Sequence, residues 1–194
     1  MSVGVVACGA LATHIADIAA TESLDINIYP LPPLLHNRPE KIAGEVDSLL
    51  NEIKDKHSKC AVAYADCGTY GALDKVIATH GVKRLGGNHC YDIFAGSKKI
   101  EEIMESDAGT YFLTDFLVKS FHRSVMVELG LDKRPELRDD YFKNYSRVIW
   151  LAQQPNEELE ELAKQAGASI GLPLEIQNVG YGQLSEQVKE LLSN

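Results

Sequence analysis

The sequence has no apolar run near the roughly 18 residues that cross a bilayer, which argues against a helical membrane protein. It is also poor in positive charge: 19 Lys and Arg stand against 28 Asp and Glu, a formal charge of -9. Such a chain is ill-suited to bind nucleic acid unaided or to dock on a membrane through a polybasic patch. The opening stretch MSVGVVACGALATHIADIAA lacks a basic segment and includes Asp17, so it does not read as an export signal. Familiar catalytic fingerprints are missing too. CGALA stands where a dinucleotide fold carries G-x-G-x-x-G, and there is no P-loop, H-E-x-x-H or G-x-S-x-G. With 194 residues, 45% of them hydrophobic, and no linker, repeat or low-complexity stretch, residues 1–194 read as one cytoplasmic globular domain.

What is present is an alternation of short β-branched runs with helical stretches. Val3–Cys8 reads as a buried strand ended by Gly9, and Leu11–Ala20 as a helix. Asp25–Tyr29 alternates as a half-exposed strand before LPPLL interrupts it. Pro39 suits the first position of a helix whose Ile42, Val46, Leu49, Leu50 and Ile53 form one apolar stripe. Cys60–Cys67 reads as a strand, Tyr70–Thr79 as a helix stopped by Gly81, and Val82–Leu85 as a short strand before the GGNHC loop. A helix over Ser97–Ser106, a strand over Gly109–Leu113 and a helix reaching Gly130 follow, then a helix over Pro135–Tyr145. Arg147–Ala152 is a strand, Asn156 caps an acidic-fronted helix, and a strand over Leu174–Val179 leads into a last helix. The pattern predicts an α/β fold with a mostly parallel sheet and helices on both faces.

Four cysteines without an export signal point to reduced thiols, which serve as ligands or nucleophiles before disulfides. Open α/β sheets bind ligands beyond the carboxyl ends of their strands. Cys8 and Cys67 end predicted strands and Cys90 lies in the loop after another, so three thiols share one sheet edge, each ahead of a helix. Cys60 begins its strand at the other edge and reads as a bystander. Converging thiolates repel one another, so a soft metal is their natural counter-charge: zinc or an iron–sulfur cluster such as 4Fe–4S. Neighbouring glycines (Gly9, Gly68, Gly86, Gly87) suit close backbone approach to a bulky ligand. His36 is a candidate fourth ligand, and Arg38, Asp66, Asn88 and His89 are candidate substrate-binding residues lining the crevice.

Two other readings compete with a metal site. Cys67, beside Asp66 at a helix N-terminus, fits a metal-free nucleophile. Alternatively the chain is a non-catalytic accessory protein docking through the RPELRDDYF helix; the longer RPELRDDYFKNYSR reads first as a solvated helix face and second as a subunit contact or an anion site at Arg138 and Arg147. Thr114 and Asp115 read as a helix cap and Trp150 as core. A homodimer is the default expectation for a small α/β protein of this kind.

Seven ordered segments resemble the domain of unknown function 1638 family across essentially the whole chain: ACGALA, LLHNRPE, YADCGTYGALD, GGNHCYDIFAG, TYFLTDFL, LGLDKRPELRDDYFKNYSR and GYGQL. The resemblance implies that Cys8, His36, Cys67 and Cys90 occupy recurrent polar positions and that Cys60 does not. Some relatives carry HDC where this chain has His89–Cys90, making His89 the weaker ligand candidate. Relatives are often encoded near corrinoid-dependent methyl-transfer systems. The resemblance therefore implies methyl or one-carbon metabolism, with a small-molecule ligand and a corrinoid protein or methyltransferase as partner.

Overall fold

A computed structural model describes residues 2–193. The elements run β1 (Val3–Cys8), α1 (Ala12–Thr21), β2 (Ile26–Leu31), α2 (Ile42–Ile53), β3 (Lys59–Ala63), α3 (Ala72–His80), α4 (Cys90–Ala95) and α5 (Ser97–Ser106). They continue with β4 (Thr110–Thr114), α6 (Asp115–Phe121), α7 (Arg138–Phe142), β5 (Arg147–Ala152), α8 (Glu157–Ile170), β6 (Leu174–Asn178) and α9 (Leu184–Ser193). The fold is α/β, as the alternation predicts. Its strands are all parallel and form two three-stranded sheets, ordered β2-β1-β3 and β4-β5-β6. The chain divides into two compact units, one of residues 1–93 and 183–194, the other of residues 94–182.

In the first unit β1 is the central strand, and its Val5, Val6, Ala7 and Cys8 are buried, as an apolar run in a covered parallel sheet should be. Helix α2 buries the predicted stripe Ile42, Val46, Leu50 and Ile53, with Leu49 half-buried. Pro39 opens a short 3-10 turn (Pro39–Lys41) that leads into α2, so the proline stands at a first helical position as expected. Helix α2 packs beside α3, and α1 beside α9. The predicted strand Val82–Leu85 is reduced to a single bridge between Val62 and Arg84.

In the second unit β5 is central, and Trp150 is fully buried among Leu113, Val118, Phe121, Leu159 and Ala163. Its indole N–H donates to the buried Asp115 carboxylate at 2.9 Å. The same carboxylate accepts the backbone N–H groups of Gln153 (3.0 Å) and Gln154 (2.8 Å), which joins the ends of β4 and β5. Thr114 caps α6 by accepting from Leu117, and Asn156 caps α8 by accepting from Leu159 at 2.9 Å. The long helix expected to reach Gly130 changes to π-helix over His122–Val127. The expected Pro135–Tyr145 helix is a 3-10 turn followed by the five-residue α7. No helix of the described residues is long and apolar enough to cross a membrane.

Candidate functional site

Cys8 is the last residue of β1, at the carboxyl edge of the first sheet. Strand β3 is shorter than expected and stops at Ala63, so Cys67 lies in the loop beyond it rather than at a strand end. The chain turns there because Cys67 (φ 50) and Gly68 (φ 82) take left-handed conformations that no strand accommodates. Cys90 is not in the loop but is the first residue of α4. Cys60 is the second residue of β3, level with Gly4, at the other end of the sheet.

Burial raises all three thiols. Burial pushes Cys67 up to about 12, helped by the Cys8 thiol and the Asp66 carboxylate. Cys90 is raised by burial and then by Cys67 and Cys8. Cys8 is raised by burial alone, against the pull of the Ala10 and Leu11 backbone N–H groups and the Tyr64 hydroxyl. Backbone N–H groups also favour the ionised sulfur at Cys67, from Ala65, and at Cys90, from its own amide and that of Tyr91. Cys60 is raised by burial only and takes no part in this coupling.

Hydrogen bonds hold the loops that carry these thiols. The Cys67 N–H donates to the Asn88 carbonyl at 2.7 Å and the Asp66 N–H to the Gly87 carbonyl at 3.2 Å. The Asp66 carboxylate accepts from the Thr69 hydroxyl (2.6 Å) and from the Tyr70 (3.1 Å) and Gly71 (3.2 Å) N–H groups. Burial opposes ionisation of Asp66, but these bonds and the Arg84 charge hold its carboxyl below the usual range. Asp92, itself buried, accepts the N–H groups of Asn88 (2.8 Å) and His89 (2.9 Å). Close packing within the chain requires a glycine at Gly9. A Cβ on Gly9 would stand 2.5 Å from the Leu31 carbonyl oxygen, and one on Gly68 would meet Pro39 at 3.5 Å.

The remaining predicted residues fall as follows. His36 sits on a 3-10 turn over Pro33–Asn37, where its Nδ1 donates to the Pro33 carbonyl at 2.5 Å. Burial keeps its imidazole below the usual range, and no interaction with a cysteine is found for it among the described residues. Arg38 is exposed and has no ion-pair partner among the described residues. Asn88 and His89 are exposed, and the His89 ring stacks on Tyr91 at 4.8 Å. Asp66 spends both oxygens on its own loop. Arg138 and Arg147 already face carboxylates: Asp139 at 2.9 Å, and Glu175 at 3.2 Å with Asp107 at 3.6 Å. Among the described residues no three His, Cys, Asp or Glu side chains are gathered tightly enough to chelate a single ion. Two further residues, not marked by any motif, bear on the site. Arg84, bonded to Asp74 at 2.7 Å, brings positive charge toward Cys67. Tyr64, inside the apolar run CAVAYADC, is fully buried, and its hydroxyl has no hydrogen-bond partner among the described residues.

Fold and site together define an α/β protein in which buried Cys8 ends the central strand β1 and half-buried Cys67 and Cys90 lie beyond β3 and at the start of α4. The chain belongs to the family described as protein of unknown function (DUF1638), whose model matches residues 30–188. That match takes in His36, Cys67 and Cys90, while Cys8 precedes it. No curated protein and no solved structure matches the chain.

Proposed function

We propose that this is a cytoplasmic metal- or iron–sulfur-binding protein whose ligands are Cys8, Cys67 and Cys90, and that it handles a small molecule of methyl or one-carbon metabolism. One observation carries the reading: Cys8 ends β1, Cys67 lies in the loop beyond β3 and Cys90 opens α4, with the Cys67 N–H bonded to the Asn88 carbonyl of the loop that leads to Cys90. Backbone N–H groups stabilise thiolates that burial and mutual repulsion disfavour, and a thiophilic cation removes the conflict. A single tetrahedral zinc with Zn–S near 2.3 Å would draw sulfurs to about 3.8 Å of one another. A 4Fe–4S cluster is the other group that three thiolates could hold. When bound, either group supplies Lewis acidity toward a thiol, a methyl donor or a small carboxylate.

The chain's own residues supply the surroundings. Arg38, exposed and without an ion-pair partner among the described residues, offers a guanidinium to a carboxylate, and Asn88 and His89 offer exposed polar groups on the Cys90 loop. The same burial weighs against a metal-free nucleophile, since a Cys67 thiol near 12 stays protonated at neutral pH. Methyl metabolism and a corrinoid protein or methyltransferase as partner rest on the resemblance described above. An absorption spectrum of anaerobically purified protein, taken with iron, sulfide and zinc analysis, separates the choices. Broad visible absorption with iron and sulfide supports the cluster, and stoichiometric zinc supports the single ion. Protein that takes up neither metal contradicts the reading.

A further inference from the structure

We propose that the pocket beside the start of β3, lined by Lys54, Lys59 and Lys83, binds a small phosphate-bearing anion. It lies at the end of the first sheet away from Cys8, and it owes nothing to the thiols at the other edge.

Three segments of the first unit frame the pocket: the end of α2 with the turn into β3, the start of β3, and the chain leaving α3. Its volume is about 360 Å³, within the roughly 300–1,000 Å³ of small-molecule sites. Leu50 and Val82 give it an apolar wall. Half-buried His57 and His80 stand beside the lysines and are held in place. His57 Nε2 lies 2.7 Å from the Tyr29 hydroxyl, and His80 Nε2 lies 2.7 Å from an Asp47 carboxylate oxygen. Asp47 is thus engaged outside the lining, and among the described residues no Asp or Glu lines the pocket.

The charge points to the ligand. A chain of formal charge -9 gathers three ammonium groups here with no carboxylate among them. Helix ends explain two of the three, since cations favour helix C-termini. Lys54 follows α2 and donates to the Asn51 side chain at 3.2 Å, and Lys59 donates to the Leu191 and Leu192 carbonyls of α9 at 3.1 and 3.3 Å. Lys83 has no such account: its ammonium has no hydrogen-bond or ion-pair partner among the described residues. Its backbone is fixed, because its carbonyl accepts the Val62 N–H at 2.9 Å. Like charges around one cavity repel, and an anion between them removes the repulsion. Arginine, whose planar fork meets carboxylates best, is absent from the lining, whereas lysines serve phosphate as point charges. A phosphate group brings about two negative charges at neutral pH, which suits several such charges at once.

The test titrates ¹⁵N-labelled protein with inorganic phosphate at low ionic strength and, in parallel, with malonate, a dicarboxylate of similar charge. Wild type is compared with Lys83→Gln and Lys54→Gln, and with Lys164→Gln, an exposed lysine of the second unit, as the charge control. Phosphate should shift the Lys54, Lys59 and Lys83 amide resonances together along one saturable curve. Lys83→Gln, which removes no bond within the chain, should fold as wild type does and bind at least about tenfold more weakly. Lys54→Gln should weaken binding in the same direction, and Lys164→Gln should leave it unchanged. Several outcomes overturn the proposal: no saturable shift in wild type, binding unchanged in both pocket variants, or equal weakening by Lys83→Gln and Lys164→Gln. Malonate that binds as well as phosphate overturns the assignment to phosphate.

Discussion

The backbone N–H of Cys67 donates to the carbonyl of Asn88 at 2.7 Å, which ties the loop of one candidate ligand to the loop that delivers another, Cys90. The tie holds Cys67 in a left-handed conformation (φ 50), and Tyr70 shares that conformation (φ 51) while being 96% exposed. Non-glycine residues take such angles only when their surroundings insist, and that insistence often marks a functional loop.

Asp66 does most of the insisting. Asp66→Ala removes three acceptor contacts from one turn and should cost about 1–3 kcal/mol in urea unfolding. Because hydrogen bonds and Arg84 hold its carboxyl below the usual range, its contribution is complete above the ordinary carboxylate pKa and fades as pH falls through the lowered value. Acid titrations of stability should therefore be flatter in the variant. Identical acid limbs for variant and wild type would refute the role assigned to Asp66.

Gly9 presents a steric limit of a different kind. A Cβ there would stand 2.5 Å from the Leu31 carbonyl oxygen and 2.9 Å from the Pro33 ring, and backbone cannot yield cheaply. Gly9→Ala should lower stability by about 1–3 kcal/mol. Gly44→Ala, within α2 and with nothing within 4 Å of its Cβ, should be neutral or stabilise by about 0.5–1 kcal/mol. Thermal melts of the two variants decide the matter, and equal midpoints would contradict it.

Much of the fold was legible because local chemistry marks it. Val3–Cys8 and Arg147–Ala152 are apolar runs with clear ends, and Ser97–Ser106 is a helix flanked by Gly96 and Asp107. The end of β3 was not legible, because CAVAYADC is apolar nearly throughout and nothing in its periodicity says where pairing stops. Nor does periodicity say which strands pair, so the division into two sheets appears only in the structure. The three-thiol grouping followed from topology alone. The buried, unpartnered hydroxyl of Tyr64 is not legible in an apolar run, and neither is the backbone contact that requires a glycine at Gly9.

The raised thiols carry an alkaline prediction. Each is protonated in the folded chain over a range where the unfolded chain, with thiols near 8.5–9, has begun to lose its protons. The folded state therefore binds more protons, and stability falls as pH rises above about 9. For Cys67 the fall continues toward about 12. Metal-free wild type should lose stability steadily over that range, and metal-free Cys67→Ser should lose less. Parallel slopes would contradict the burial assigned to this thiol.

The same protonation fixes the stoichiometry of loading. Thiols that are neutral at pH 7 must each release a proton to bind metal, so loading should release about three. Calorimetry in two buffers of different ionisation enthalpy measures the number, and release near zero would mean that the three thiols are not the ligands.

Anaerobic metal analysis of wild type beside Cys67→Ser and Cys60→Ser bears most directly on thiol ligation at the sheet edge. Wild type and Cys60→Ser should retain near-stoichiometric iron or zinc while folded Cys67→Ser loses it. Equal metal content in all three proteins, or loss in Cys60→Ser alone, would contradict the assignment.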